Sequence, residues 1–295
     1  MSESKPISIE KQIADLPPLP ITVSNVMRVT SDPESSANDL AKTILPDQAM
    51  CVAILKIANS ALYGRPKKVS SLETAIAVLG MNEVESIVLG KAAVTTFKKL
   101  LANNKKDLDT FWEHGFTCGL SARSIGEHLN IASGQFFIAG LLHDIGKLAM
   151  LLAFGEKYET AKWMTGFSTA AKFEEEKHTF SISHDVLGSR LLQHWQFPDT
   201  LLIALRCHHM PNKAPKLAAY PLIVQVADFL SFMLLHPEVP EKYGLKTALH
   251  HYLPNFEKQW RAQKIPWEDI YLDQWFAWLK VDRDHGSAIL DILAA

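Results

Sequence analysis

The sequence predicts an all-α fold, and three observations carry that expectation. Apolar residues recur with the 3.6-residue helical period along nearly the whole chain. The apolar–polar alternation of half-buried strands is hardly found. The periodic stretches are introduced by helix-start signals and separated by Pro, Gly or polar breaks.

The elements follow in order. Residues 12–20 (QIADLPPLP) form a proline-rich lead-in. A short helix is expected from Ile21 to about Thr30, ended by Asp32-Pro33, because proline disfavours helix at the residue before it. SSANDLAKTI and DQAMCVAILKIANS supply the next two helices, divided at Pro46, and YGRPKKVS is a loop. Ser70 and Glu73 have capping-box spacing ahead of AIAVLG, and Asn82 and Glu85 repeat it ahead of SIVLGKAAVTTF. LANNKKDLD, Leu101 to Asp109, is polar and poor in aromatics, and it marks a linker between an N-terminal helical lobe (10–105) and a second lobe (106–235). Helices of the second lobe are expected near 110–129, 134–153, 156–165, 183–196, 198–209 and 218–235. A helical extension, 236–295, carries Tyr243, Tyr252, Trp260, Trp267, Tyr271, Trp275 and Trp278, which are expected to serve as packing residues.

Composition narrows the function classes. Of 295 residues 47% are hydrophobic, enough for a substantial core and too many for a disordered chain. The formal net charge of −2 argues against a protein built mainly to hold nucleic acid or an anionic membrane. Cys51, Cys118 and Cys207 are odd in number, far apart and outside C-x-x-C spacing, so neither a disulfide framework nor a zinc knuckle is expected. The polar start MSESKPISIEK lacks an apolar signal core, and the window PLIVQVADFLSFMLL is interrupted by Gln225 and Asp228 and shorter than the ~20 residues of a membrane span. A cytoplasmic protein is expected. The basic cluster Arg65, Lys67 and Lys68 reads as a solvated loop.

The stretch GLLHDIGKLAM, residues 140–150, holds the chemistry. Wound as a helix, it puts Leu141, Leu142, Ile145, Leu148, Ala149 and Leu152 on one face. His143 and Lys147 share the opposite face, and Asp144 lies on the border. That pattern fits either a solvated polar stripe or a stripe lining a site. Five further positions bear on the choice. His114 shares a helical face with Cys118 and Ile125, as a hydrogen-bonded core histidine would. His184 follows Ser183 at a helix start, and His208 and His209 close a helix, where the dipole favours them. Asp228 has no such explanation: it lies inside a very apolar helix, three residues after Gln225, where an unpaired carboxylate is costly. A metal or an imidazolium would serve as its partner.

The ordered set H…HD…H…HH…D resembles the HD superfamily of metal-dependent phosphohydrolases, and within it the HD-GYP branch. The resemblance becomes more specific with LPPLP, NSALYG, SLETAIAVLG, GLLHDIGKLAM and the run Glu176, His184, Gly188, Leu192, Trp195, Pro198 before the double histidine. On these motifs residues 10–235 are identified as an HDOD domain. The resemblance implies an HD-like multi-helix core with an additional N-terminal helical lobe. It also implies that His114, His143, Asp144, His184, His208, His209 and Asp228 are metal ligands, Asp144 bridging two cations.

No Gly-Tyr-Pro follows the double histidine, and Thr110 stands where some HD-GYP enzymes carry a glutamate, so cyclic-di-GMP hydrolysis is not expected. Imidazole and carboxylate ligands without thiolate suit one or two iron, manganese or zinc ions. Two such ions lower the pKa of a shared water and clamp a phosphate, and Lys147 beside Asp144 would offset phosphoryl charge in an active enzyme. Two functions are therefore open. One is a regulatory module acting on a signalling protein partner or a small phosphorylated ligand. The other is a metal-dependent phosphohydrolase acting on a nucleotide or cyclic dinucleotide.

Overall fold

Side-chain caps at Ser36, Asp47, Ser71 and Thr169 set four of the described helix starts. A computed structural model describes residues 13, 16–64, 67–131, 134–160, 167, 169–214 and 217–295. Among them there is no strand. The first helix, α1 (Ile21–Ser31), starts at Pro20 and ends at Asp32. Ser36 opens α2 (Ala37–Ile44) with a reciprocal capping box to Asp39, and Asp47 opens α3 (Gln48–Ala58) by accepting from the Met50 amide at 2.9 Å. The capping box expected at Ser70 and Glu73 is displaced by one residue. Ser71 accepts from the Thr74 amide and starts α4 (Leu72–Leu79). The second expected box is absent: Asn82 lies inside α5 (Met81–Leu100), whose N-cap is Gly80 in a positive-φ conformation.

The expected linker is a tight turn. Leu101 is buried, Ala102–Asn104 form one 3-10 turn, and α6 (Lys105–His128) begins at once, burying Leu108, Phe111 and Trp112. The polarity of LANNKKDLD is the outer face of this corner, and its leucines turn inward. One continuous set of buried side chains runs from Ile13 through α5 and α6 to Leu293, so the suggested lobes share a core.

The helix expected over 134–153 is broken. It forms α7 (Phe136–Leu142) and α8 (Ile145–Phe154), with His143 and Asp144 as the joint. The His143 imidazole takes over one helix-end carbonyl, its Nδ1 lying 2.8 Å from the Gly140 oxygen. The Phe136–Phe154 stretch is long and apolar enough to cross a membrane, but 89% of that window is buried inside the protein, as in a core helix.

The expected helix 156–165 is described only as α9 (Glu156–Thr160), and residues 161–166 lie outside the described residues, as do Arg65 of the basic loop and Pro66. There follow α10 (Ala170–Phe180), α11 (His184–His194), α12 (Asp199–Cys207) and α13 (Ala219–Leu235). The C-terminal extension forms α14 (Glu238–Tyr243), α15 (Leu245–Tyr252), α16 (Phe256–Ala262) and α17 (Asp269–Ala294).

The long α17 lies along α6 and also touches α3, α5, α13 and α15. The aromatic residues of the C-terminal extension do the packing expected of them only in part. Trp260 and Trp275 are buried, whereas Trp278 and Tyr243 are exposed. Tyr271, Trp275 and Trp278 surround His128 at the end of α6, and the Trp275 indole donates to His128 Nδ1 at 2.9 Å.

Two loop motifs explain themselves in the same terms. Asn59 of NSALYG bonds the Val69 amide and carbonyl, closing the loop across ten residues. Tyr63 reaches Glu83 at 2.5 Å. The Pro17 carbonyl of LPPLP accepts from the Trp195 indole at 3.3 Å, so two motifs far apart in sequence meet.

Candidate metal centre

Four helices converge on the HD joint. His114 comes from the middle of α6, His143 and Asp144 from the joint between α7 and α8, His184 from the first turn of α11, His208 and His209 from the end of α12, and Asp228 from the middle of α13. The close approach of α8 and α11 requires glycine. A Cβ on Gly146 would stand 1.8 Å from the His184 carbonyl oxygen, and a Cβ on Gly188 would stand 3.0 Å from the Gly146 amide. Hence the glycine of HDIGK and the glycine four residues after His184 are one contact, and it carries His184 to Asp144. Ser183, Asp185 and Arg206 are joined by hydrogen bonds and an ion pair that lock the start of α11 to the end of α12.

All seven expected residues meet here, in two groups. Asp144, His184, His208 and His209 form one, and His114, His143 and Asp228 the other; in each, the ligating atoms lie within 4.8 Å of one another. Atoms bound to one cation at about 2.0–2.2 Å stand no farther apart than about 4.4 Å, so each group needs at most a small contraction. Asp144 stands between them. Its Oδ1 is 3.2 Å from His184 Nε2 and 3.7 Å from His208 Nε2, and its Oδ2 is 3.3 Å from His143 Nε2.

Every imidazole of the inner ring is oriented from behind. His143 Nδ1 faces the Gly140 carbonyl at 2.8 Å, His208 Nδ1 the Leu205 carbonyl at 2.7 Å and His184 Nδ1 the Glu176 carboxylate at 2.7 Å. An N–H on each Nδ1 leaves each Nε2 with its lone pair pointing into the centre, the arrangement of metal-ligating histidines. His114 is set differently: Nδ1 is 3.1 Å from the Ser231 hydroxyl, and Nε2 is 2.9 Å from Asp228 Oδ1.

His143 Nε2, Asp144 Oδ1 and His208 Nε2 are buried without a hydrogen-bond partner. Three buried polar atoms left without a hydrogen bond at one point are costly unless a ligand such as a cation sits among them. The residues present therefore fit a divalent cation.

The electrostatics agree. Asp144, Glu176 and Asp228 are 5%, 1% and 5% exposed, and against these three carboxylates stands one ammonium, Lys147, itself 2% exposed. Burial would raise the Asp144 pKa, but Lys147 and His143 outweigh it and hold the carboxyl well below its ordinary range. Burial is outweighed at Asp228 as well, where the His114 imidazole at 2.9 Å and the nearby His143 imidazole hold the carboxylate ionised. His184, despite burial, is pushed up to about 9 by Glu176 and Asp144. His208 is lowered to about 4 by burial and by the charge of His143, and burial with the neighbouring imidazoles holds His209 well below its ordinary value too. The centre thus holds ionised carboxylates together with neutral imidazoles at positions 208 and 209.

The solvated-stripe alternative for GLLHDIGKLAM fails, since both helical faces are buried. Lys147 is neither on the surface nor free for a phosphate: its Nζ is 2.6 Å from Asp144 Oδ2. Gln225 does share the face of Asp228, donating to the His208 carbonyl at 3.0 Å. Sequence reasoning missed Glu176 as a site residue. It bonds both Nδ1 and the amide of His184 and accepts from Tyr158 at 2.7 Å. It also missed Phe173, whose ring lies 4.7 Å from that of His209, and Ser231. Ser231 had a signal, being one helical turn after Asp228, and Glu176 stood in the run that carried the family resemblance, whereas Phe173, from a separate helix, had none.

A family model, the HDOD domain, matches residues 16–211. The chain belongs to the HDOD domain family. Solved structures of similar fold include an HDOD domain protein of unknown function from Geobacter sulfurreducens (20% identity, TM-score 0.63, 98% of each chain covered). A candidate phosphohydrolase from Shewanella amazonensis matches with 17% identity and a TM-score of 0.70, covering 97% of this HDOD chain and 98% of its own. A candidate signal transduction protein from Marinobacter aquaeolei matches with 17% identity and a TM-score of 0.71, over 99% of this chain and 62% of its own. At these identities the likeness is one of fold. Among curated proteins, an uncharacterized protein of Treponema pallidum is 24% identical over 260 residues, which span 86% of this HDOD chain and 49% of that protein. Ribonuclease Y of Mycoplasmoides gallisepticum is 24% identical over 205 residues, 67% of this chain and 32% of its own. The chain thus spans half or less of the curated relatives it matches.

Proposed function

We propose that this HDOD protein is a metal-binding regulatory module. One or two divalent cations (iron, manganese or zinc) held between α6, α8, α11, α12 and α13 fix the mutual packing of those helices, and a signalling protein or a small phosphorylated ligand reads that packing. The observation that carries the metal reading is the convergence of His143 Nε2, Asp144 Oδ1 and His208 Nε2, buried and without partners. The regulatory reading is supported by Lys147, which is committed to Asp144 rather than presented to a substrate, and by the missing Gly-Tyr-Pro. The cytosol suits such a module, with three free cysteines, two of them buried.

A phosphohydrolase is the second reading. It is favoured by the two complete ligand groups with Asp144 between them, an arrangement that suits a two-metal clamp on phosphate. The experiment that separates the two is a turnover assay of manganese- and iron-loaded protein on bis(p-nitrophenyl) phosphate, cyclic dinucleotides and nucleotides. The regulatory reading expects no hydrolysis above that of Asp144→Ala, together with hydrogen exchange in α11–α13 slowed by the cation. Metal-dependent turnover lost in Asp144→Ala would replace it with the hydrolase.

A further inference from the structure

Lys147 competes for the oxygen that a second cation would need. Its ammonium is 2% exposed and lies 2.6 Å from Asp144 Oδ2, the oxygen that is also 3.3 Å from His143 Nε2. For Asp144 to bridge, a cation among His114, His143 and Asp228 would have to share that oxygen with the lysine. At a bond length of about 2.0–2.2 Å it would stand within about 5 Å of the ammonium, in a dry centre where repulsion is little screened. The other oxygen, Oδ1, is the one without a hydrogen-bond partner, and it faces His184 and His208.

The charge of the centre gives the same count. Its buried carboxylates are Asp144, Glu176 and Asp228, its buried ammonium is Lys147, and its histidines are neutral once they ligate. The buried Asp185, next to His184, pairs with Arg206 instead. Three carboxylates against one ammonium leave two negative charges, which one divalent cation cancels. A second cation would leave two positive charges buried without a counter-ion, and uncompensated buried charge is costly.

We propose that Lys147 restricts this centre to one tightly held divalent cation by keeping Asp144 Oδ2 from a second. The inference rests on the metal reading above and adds a count to it. Asp228 and His143 still bear on the single ion. Asp228 supplies part of the charge that the ion cancels, and His143 Nε2 is one of the three unpartnered buried atoms. A centre limited in this way fixes helices without forming the paired cations of a two-metal clamp on phosphate.

The test is titration of the metal-depleted full chain with manganese, followed by electron paramagnetic resonance. The unaltered chain is expected to bind one manganese tightly and a second at least roughly a hundredfold more weakly, with the spectrum of an isolated ion. Lys147→Met is expected to tighten the second ion by roughly tenfold or more and, with both ions bound, to give the spectrum of an exchange-coupled pair. Lys147→Arg keeps the charge and is expected to keep the single tight ion. Two ions of like affinity in the unaltered chain would overturn the proposal, and that measurement decides even if Lys147→Met does not fold. A folded Lys147→Met whose second ion binds no more tightly than before would overturn it too. Both results would leave the metal reading standing. No manganese bound at all would overturn the metal reading itself, and this inference with it.

Discussion

Lys147 and Asp144, one helical turn apart, form a buried ion pair at 2.6 Å, and the same carboxylate turns its other oxygen toward His184 and His208. One oxygen is neutralised by the chain, and the other is left for a cation. The ion pair is thus part of the centre rather than an accessory to it.

The first prediction concerns Lys147→Met. It removes the shortest ion pair of the buried Asp144, and breaking a buried pair from one side costs about 3–5 kcal/mol. Urea unfolding of metal-free protein should show a loss of that order. Added manganese or zinc should recover part of it. A surface lysine would give a change within about 0.5 kcal/mol.

Glu176→Gln should leave the fold in place and weaken the metal. The carboxylate orients His184 from behind at 2.7 Å, and outer partners of this type are worth about 10–100-fold in metal affinity. Competition with a chromophoric chelator measures the change, and an affinity equal to that of the parent protein would remove Glu176 from the site.

Metal uptake near neutral pH should release protons. His184, raised from 6.5 to about 9 against the effect of burial by Glu176 and Asp144, is protonated at pH 7 in the metal-free chain, and a ligating imidazole must be neutral. Calorimetry in two buffers of different ionisation enthalpy gives the proton count. The linked stability has a definite sign. With a folded pKa above the unfolded one, His184 contributes stability to the metal-free protein that is fully present below about pH 6.5 and is lost as pH rises through about 9. His208 runs the other way. Lowered to about 4, it favours the folded state above pH 6.5, and that contribution is lost as pH falls toward 4.

Gly146→Ala should separate α8 from α11. The new methyl would meet the His184 carbonyl at 1.8 Å, and backbone cannot move aside as a flexible side chain does. A destabilisation of about 1–3 kcal/mol or more is expected from thermal unfolding, with loss of metal, because the shift carries His184 away from Asp144.

Much of this architecture was legible in the chain. The helical period located most of the helices, and Asp228 declared itself as a charge in an apolar helix that needed a partner, which His114 supplies at 2.9 Å. Other features are set by tertiary contact and leave little local trace. The break at His143–Asp144 lies within an uninterrupted apolar pattern and arises where the imidazole replaces a helix hydrogen bond. Lys147 lies inward because α11 closes over it through Gly146 and Gly188, a contact between residues 42 positions apart. Leu101 and Leu108 made a polar corner resemble a linker, since two buried leucines are outvoted by their charged neighbours in composition. Glu176 reaches His184 across a helix boundary, where no periodicity links the two.

The central claim is that the seven converging side chains hold a cation. Elemental mass spectrometry of protein purified without chelator or histidine tag tests it most directly, with His143→Ala and Asp228→Ala prepared in parallel. At least one iron, manganese or zinc per chain, with content lowered in both variants, is the result this account predicts. A folded protein free of metal that takes up none of the three ions when they are supplied, or metal content unchanged in both variants, would contradict it.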